Sequence, residues 1–268
     1  MSFTFCLNTS TIKPQSVMKK ISLSAEAGFK GVELWLNDIY EYIGQGGEVS
    51  DIEKALSDHG LIVPCMIAMR QWGEAEGIEY KLAMEEAKRR MELAARLKSP
   101  YIVATPPFEP CDLHQVAERY QALLEIGREV GVKPTFEYIG FFKSAFKLNH
   151  AWQVVQEVND PDATLILDTF HSWNSHSTLA DLEAIPLERI SHYHIDDADP
   201  NKPAGTQTDP DRVMLGEGQI DIRAEIAVLK AKGYDGTVSL ELFNQDLWEQ
   251  DPKDVLKVGI ERMHELLD

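Results

Sequence analysis

The chain has 268 residues, 44% of them apolar, which is enough for one large domain or two small ones. Its net charge of −18 arises from 44 acidic and 26 basic residues. An acidic surface of this kind repels nucleic acids and anionic membrane surfaces, so we expect neither as a partner. No apolar run approaches the roughly 20 residues that a membrane-spanning helix requires.

The first residues and the cysteines both favour a cytoplasmic location. The segment MSFTFCLNTSTIKPQ lacks the basic start and the long apolar core of a secretory signal. The three cysteines, Cys6, Cys65 and Cys111, lie far apart and follow no metal-binding or redox spacing. Sparse, unpaired cysteines are typical of a reducing cytoplasm.

Short apolar strands alternate with longer amphipathic segments along the chain. In chain order the predicted strands are FTFCLN, GVELW, LIVPCMIAM, PYIVAT, KPTFEYI, ATLILD, ISHYHID and TVSLELF. Segments such as YKLAMEEAKRRMELAARLK separate most of them and carry apolar residues at helical spacing. Eight such units predict one α/β domain over residues 1–268, a closed parallel (β/α)8 TIM barrel.

Two further patterns occur within this alternation of strands and amphipathic segments. AGFKGVEL and KGYDGTVSLEL share a Gly-aromatic-x-Gly pattern, which predicts a helix C-terminus that turns into the second and eighth strands. After the seventh strand, DDADPNKPAGTQTDPDRVMLGEGQID has no periodicity. Loops of that length in compact domains are either functional or disordered, and both alternatives stay open here.

Four consecutive predicted strands end in a carboxylate or an imidazole. In strand order these side chains are Glu137, Asp168, His194 and Glu241. A salt bridge or a turn cap would explain any one of them alone, but the C-terminal strand ends of a barrel meet at its active-site face. Three carboxylates packed together repel one another unless a cation lies among them. The sequence therefore predicts one divalent metal ion, with Mn²⁺ or Zn²⁺ favoured over Co²⁺ or Mg²⁺.

Three further side chains are candidates for contact with substrate or ligand. His171, three residues after the sixth strand, is placed to contact substrate oxygen or to orient a ligand, with a solvated loop as the alternative. Arg212 would bring positive charge over the barrel mouth unless it forms a surface salt bridge. Asn244, in the turn after the eighth strand, is a weaker candidate.

The second and seventh strands add candidates of a different kind. Glu33 and Trp35 end the second strand, where an acid and an aromatic wall suit a sugar-sized pocket. His192 lies on the same strand face as His194, one layer deeper. We expect His192 to be a hydrogen-bonded interior residue rather than a metal ligand.

The motifs LDTFHSW, YHIDDAD, TDPDRVMLGEGQIDI and VSLELFN together resemble the sugar phosphate isomerase/epimerase superfamily, the xylose isomerase-like barrels. Within it they most resemble the inosose (2-keto-myo-inositol) isomerase group. The resemblance extends from FCLNTST to the terminal helix and is densest over residues 137–245. It implies that the metal ligands are Glu137, Asp168, His194 and Glu241, and that His171 contacts the substrate.

The chain departs from this group at two places around the expected pocket. Trp173 stands where related sequences carry a second histidine, and Met214 and Leu215 stand where an aromatic residue and a proline are expected. These departures concern the substrate rather than the metal. The identity of the sugar or cyclitol, and whether it is phosphorylated, therefore stays open, as does assembly into a homo-oligomer.

A metal beside a polyol ketone suggests proton transfer at a carbon next to the carbonyl, through an enediolate. The metal would act as a Lewis acid while Glu137 or Glu241 takes the proton. Return of the proton to the neighbouring carbon gives an isomerase. Return to the opposite face of the same carbon gives a ketose 3-epimerase, and loss of a β-hydroxyl gives a dehydratase of a cyclic keto acid.

Two alternatives come from other functional classes. A metal-dependent endonuclease of the same architecture requires several metals and a basic groove, which the acidic composition opposes. A non-catalytic, metal-dependent sugar-binding protein would keep the metal site but lack a competent base. The residues favour the enzyme, an isomerase or epimerase acting on a small sugar or cyclitol.

Overall fold

The computed structural model describes residues 3–268 and forms a closed barrel of eight parallel strands. Within that range the strands are β1 (Thr4–Asn8), β2 (Gly31–Trp35), β3 (Cys65–Met69), β4 (Tyr101–Ala104), β5 (Lys133–Phe136), β6 (Thr164–Asp168), β7 (Ile190–Ile195), β8 (Asp197–Ala198), β9 (Arg212–Val213) and β10 (Thr237–Leu240). Around the barrel the order is β1-β10-β7-β6-β5-β4-β3-β2. The predicted TIM barrel is confirmed.

The helices surround the barrel and connect its parallel strands. They are α1 (Val17–Ala27), α2 (Leu36–Gly44), α3 (Val49–His59), α4 (Gly77–Arg96), α5 (Leu113–Val130), α6 (Leu148–Val158), α7 (Thr169–Asn174), α8 (Leu179–Ala184), α9 (Ile222–Lys232), α10 (Gln245–Trp248) and α11 (Pro252–Leu267). Across residues 3–268, none of these helices combines the length and the apolar character needed to cross a membrane.

The main apolar core lies between the strands and the surrounding helices. Strand residues on alternate positions, such as Val238 and Leu240 of β10, are buried in this core. A second, smaller cluster of Cys65, Ile67, Ala68, Val103 and Ile166 is separate from it. Opposite faces of a strand point to opposite sides of the sheet. The polar residues of β10 therefore face the barrel interior, so the interior contains polar side chains as well as apolar ones.

The Gly-aromatic-x-Gly pattern forms the predicted turns. Gly28 and Gly233 end α1 and α9 with φ values of 101° and 83°, a left-handed conformation that favours glycine. At the start of β2, a Cβ atom on Gly31 would lie 2.5 Å from the Cys6 sulfur. The pattern thus encodes both the helix end and the close packing of the strand that follows.

Strand boundaries differ from the sequence prediction in detail. Glu137 and Glu241 each follow their strand by one residue instead of ending it. The predicted third strand, 61–69, is regular only over Cys65–Met69. The long segment after β7 is ordered: β8 and β9 pair antiparallel within it.

A partly buried glutamate, Glu225, lies between the barrel and its outer helices. The Tyr193 hydroxyl, on β7, donates a hydrogen bond to Glu225 of α9. Burial raises the pKa of Glu225 from an ordinary value of 4.5 to about 8. Folded protein therefore keeps a proton on this group at pH values where the unfolded chain has lost it.

We expect Glu225→Gln to flatten part of the pH dependence of stability. Between about pH 4.5 and 8 the unfolded state loses the Glu225 proton and the native state retains it, so rising pH destabilises the wild type by up to about 1.4 kcal/mol per unit. The variant cannot ionise there. Urea unfolding of both proteins at pH 5, 6.5 and 8 should show the variant gaining relative stability as pH rises; a constant difference would contradict this expectation.

Candidate active site

The four side chains from consecutive strand ends lie together at the C-terminal rim of the barrel. They are Glu137, Asp168, His194 and Glu241, supplied by β5, β6, β7 and β10. One ligand atom from each lies within 4.8 Å of the others, and all four side chains are buried. These residues form what we call the ligand cluster.

His194 faces the ligand cluster through its Nδ1 atom. This nitrogen lies 3.1 Å from Glu241 Oε2 and 3.8 Å from both Glu137 Oε1 and Asp168 Oδ2. It is buried and makes no well-aligned hydrogen bond within the described part of the chain. An unpartnered buried nitrogen is costly. A nitrogen set among three carboxylates is also the donor chemistry of a divalent-metal site.

The carboxyl groups of the ligand cluster compete for positive charge. Burial, together with repulsion from Glu241, raises the pKa of Glu137 to about 8. Burial acts in the same direction on Asp168, but the Arg212 guanidinium overrides it and lowers the pKa of that group to about 2. A cation among these groups relieves the repulsion, so the residues present fit a divalent metal.

Arg212 lies inside the site instead of on the surface. Its Nη1 atom donates to Asp168 Oδ2 at 2.9 Å, to Glu241 Oε2 at 3.2 Å, and to the Asp196 carboxylate. Only 1% of Arg212 is exposed. The predicted positive charge at the mouth is present. The alternative of a surface salt bridge is wrong, because β9 folds back over the barrel and inserts the guanidinium among its acidic groups.

Aromatic rings hold the guanidinium of Arg212 in place. It lies 4.9 Å from the centre of the Phe170 ring and 5.4 Å from that of Phe243. Such contacts with the ring faces add about 0.5–2 kcal/mol. Asn244 donates through Nδ2 to the Arg212 carbonyl oxygen at 3.0 Å, so this weaker candidate supports the arginine backbone.

His171 is buried beside Arg212, with 2% of its surface exposed. Burial lowers the pKa of His171 to about 4, so its ring is neutral at physiological pH. Nε2 lies 3.1 Å from Arg212 Nη2, which can only donate, so Nε2 is the acceptor and Nδ1 carries the proton. Within the described chain that Nδ1 atom has no partner. The alternative of a solvated loop histidine is wrong, because α7 begins directly after Asp168 and folds the ring inward.

A small cavity of about 60 Å³ opens onto the ligand cluster. Its walls include Trp35, Arg70, Thr105, His171 and Arg212, together with phenylalanine side chains. Trp35 and Arg70 also line two adjoining clefts of about 850 and 510 Å³. The aromatic wall predicted for Trp35 is therefore present, at the junction between the ligand cluster and the wider mouth.

Glu33 does not lie at the cavity wall where the sequence interpretation placed it. Its side chain is fully buried, with Oε2 2.9 Å from His194 Nε2. Alternation along β2 does put Glu33 and Trp35 on one face of the strand. Trp35 lies two residues further along, so the two side chains lie at different depths in the barrel. His192 is buried next to Glu33 and contacts Thr237 through Nδ1, the hydrogen-bonded interior position that we expected for it.

Asp197 orders the loop that delivers Arg212. Its carboxylate accepts four backbone N–H groups at 2.9–3.1 Å, those of Ala198, Gly216, Gly218 and Ile220. A Cβ atom on Gly218 would lie 2.3 Å from Asp197 Oδ1. The glycines of the LGEG segment thus let the backbone close around this carboxylate.

Several site residues escaped the sequence interpretation. Asn8 ends β1, Arg70 follows β3 and Thr105 follows β4. The rule that identified the ligand cluster, a polar residue at a strand end, would have found all three had it been applied to the first, third and fourth strands as well. Asp196 and Asp197 lie in a motif that was recognised as a whole, without individual roles.

We expect Asp197→Ala to loosen the loop around β9 more than the barrel. The change leaves four backbone N–H groups without their charged acceptor, and each such bond is worth about 1.5–3 kcal/mol. Limited proteolysis should cut within residues 199–220 at a higher rate, and the free energy of unfolding should fall. Asp58→Ala, an exposed carboxylate on α3, is the control; equal protease resistance in the two variants would argue against this role for Asp197.

Comparison with known proteins places the chain in a family. A family model described as xylose isomerase-like TIM barrel matches residues 21–266. An inosose isomerase from Halalkalibacterium halodurans is 28% identical over 263 residues, 95% of this chain and 93% of that protein. A 3-dehydroshikimate dehydratase from Pseudomonas aeruginosa is 25% identical over 237 residues, 84% of this chain and 36% of that protein.

Similarity in structure agrees with similarity in sequence. A crystal structure of IOLI protein with a bound zinc atom has a TM-score of 0.92 and 23% identity, covering 99% of this chain and 98% of that one. The resemblance drawn from the four motifs is thereby confirmed. The chain belongs to the family of xylose isomerase-like TIM barrels.

Proposed function

We propose that this protein is a metal-dependent isomerase that moves the carbonyl group of a cyclic polyol ketone, an inosose or a related small sugar. The observation that carries the proposal is the ligand cluster, in which three carboxylates and one imidazole lie within 4.8 Å of one another. Similarity to inosose isomerases over nearly the whole chain supports the substrate class.

The ligand cluster would hold one divalent ion, with Zn²⁺ or Mn²⁺ favoured by its mixed oxygen and nitrogen donors. The zinc atom in the IOLI structure supports this assignment. A bound divalent ion supplies Lewis acidity that polarises the substrate carbonyl. The remaining chemistry belongs to side chains of this protein.

Glu137 and Glu241 are the proposed proton-transfer groups. They come from the two outermost of four adjacent strands, β5 and β10, and so flank His194 and Asp168. One carboxylate takes a proton from the carbon next to the carbonyl, and a proton returns to the neighbouring carbon. Proton transfer by a positioned carboxylate is worth about 10²–10⁴-fold in rate.

His171, Arg212 and Trp35 are the proposed substrate contacts. The unpartnered Nδ1–H of His171 is available to donate to a substrate oxygen. Arg212 adds positive charge beside the same cavity, and Trp35 supplies an apolar wall for a ring. A neutral donor, a fixed cation and an aromatic face suit a hydroxylated ring with a carbonyl group.

The protein should bind one Zn²⁺ or Mn²⁺ per chain through the ligand cluster. His194→Ala and Asp168→Asn should each weaken binding by more than the 10–100-fold that loss of an outer hydrogen-bond partner costs. Chelator competition measures the affinity, and the metal should raise the melting temperature of the wild type. His264→Ala, an exposed histidine on α11, should bind like the wild type. Stoichiometric binding that survives both ligand changes would place the metal elsewhere.

The reaction itself can be tested with a panel of inososes and ketoses in D₂O, with Mn²⁺ or Zn²⁺ present. We expect reversible carbonyl migration, with at least partial deuterium incorporation at carbon because a carboxylate exchanges its proton with water. Glu137→Gln and Glu241→Gln should each lower turnover by at least about 10²-fold. Complete retention of the substrate hydrogen in the product would indicate a hydride shift instead of proton transfer. Binding without turnover would favour a sugar-binding protein.

His171→Ala should lower turnover by about 10²-fold or more while metal affinity changes little. The proposed role of His171 is donation to substrate oxygen, and loss of one such donor commonly costs about 10²–10³-fold. Steady-state kinetics and the chelator titration separate the two effects. His114→Ala, an exposed histidine on α5, provides the matched control, and unchanged kinetics in His171→Ala would remove the residue from the substrate contacts.

A dehydratase of a cyclic keto acid is the second candidate, and Arg70 is the observation that favours it. Arg70 lines the mouth and forms no ion pair with any carboxylate in residues 3–268. An unpaired arginine there suits a substrate carboxylate, and the similar 3-dehydroshikimate dehydratase supports such a substrate. A ketose 3-epimerase uses the same proton transfer. Product analysis by NMR distinguishes migration of the carbonyl, inversion at one carbon and loss of water.

A further inference from the structure

A layer of buried polar side chains lies directly beneath the ligand cluster. This inner layer consists of Asn8 on β1, Glu33 on β2 and His192 on β7, all with fully buried side chains. None of the three belongs to the ligand cluster or lines the cavity above it. Buried polar groups in a barrel interior are costly unless they are paired, so their arrangement requires an explanation.

Glu33 holds the nitrogen of His194 that points away from the ligand cluster. Glu33 Oε2 lies 2.9 Å from His194 Nε2, while the opposite ring nitrogen, Nδ1, faces the carboxylates above. Among residues 3–268 the ion-pair partners of Glu33 are two histidines, His194 and, at 3.3 Å, His192. A hydrogen bond from Nε2–H to Glu33 leaves the Nδ1 lone pair free to bind a cation.

Asn8 connects this carboxylate to a second member of the ligand cluster. Its Nδ2 atom donates to Glu241 Oε1 at 2.8 Å and to Glu33 Oε2 at 3.2 Å. Its Oδ1 atom accepts from Trp35 Nε1 at 2.9 Å. One amide therefore holds a ligand from β10, a carboxylate from β2 and the indole at the cavity wall in fixed relation.

We infer that Glu33 is a positioning residue for the metal site: it holds His194 with Nε2 protonated and Nδ1 presented to the ion, and Asn8 fixes Glu33 and Glu241 relative to each other. The inference rests on the proposed metal site. A carboxylate that accepts the second N–H of a ligating histidine fixes the ring and raises its basicity. This role replaces the substrate contact that the sequence interpretation gave to Glu33.

The test compares Glu33→Gln with Glu225→Gln in the Zn²⁺-loaded and metal-free proteins. Both changes replace a carboxyl group by an amide of nearly equal size beside a side chain of β7, but only Glu33 contacts His194. Chelator competition should show Zn²⁺ binding weakened about 10–100-fold by Glu33→Gln and little changed by Glu225→Gln. In the Zn²⁺-loaded wild type, ¹⁵N NMR should show the metal on His194 Nδ1 and a proton on Nε2, with that proton resonance shifted upfield in Glu33→Gln.

Asn8→Ala keeps the inference testable if Glu33→Gln fails to fold. It removes the donor shared by Glu33 and Glu241, so it should also weaken Zn²⁺ binding. Wild-type Zn²⁺ affinity in both variants, or in Asn8→Ala alone where Glu33→Gln does not fold, would overturn the inference. So would a metal found on His194 Nε2. If the wild-type protein binds no Zn²⁺ or Mn²⁺ through the ligand cluster, the proposed metal site itself fails, which is a separate result.

Discussion

The crowding of buried carboxylates at one end of the barrel is the constraint on which the site depends. Glu137, Asp168, Asp196 and Glu241 are all buried there, and each would repel the others in its ionised form. Positive charge or bound protons must offset this repulsion, because desolvation removes the screening that water provides. Arg212 supplies one such charge. The carboxylates of Glu241 and Glu33 hold the pKa of His194 well above its ordinary value against the effect of burial, so an ion that binds Nδ1 would displace a proton from this ring.

Arg212 reaches this position only because the segment after β7 folds back on itself. Asp196 and Asp197 are adjacent in sequence but hold different parts of the structure. Asp196 accepts from Arg212 and from the Phe170 amide, whereas Asp197 gathers the amides of the later LGEG turn. Two consecutive carboxylates therefore tie the end of β7 both to the guanidinium and to the turn beyond it. These hydrogen bonds give a fixed shape to the segment after β7, whose sequence has no periodicity.

The sequence predicted the barrel and the ligand cluster for the same reason. Strand periodicity and connection length identify where each strand ends, and the topology of a parallel barrel then brings those ends together, as for Glu137 and Asp168. The burial of Arg212 was not predictable in this way, because it depends on the path of a non-repetitive loop. The depth of Glu33 was misjudged since alternation gives the face of a strand residue but not its layer. The position of His171 just after the sixth strand was predicted. Its neutral, buried state was not, because it follows from α7 beginning immediately after β6.

The ligand cluster draws on only one half of the barrel circumference. Its members come from β5, β6, β7 and β10, whereas Trp35 and Arg70 at the mouth come from β2 and β3 on the other side. The ligand cluster and these two residues of the mouth are thus encoded in separable stretches of the polypeptide, whereas His171 and Arg212 lie in the stretch that supplies the ligand cluster. Gene recombination that exchanges residues 36–100 between related proteins would replace Arg70 at the mouth and leave the ligand cluster, together with Asn8, Glu33 and Trp35, inherited intact.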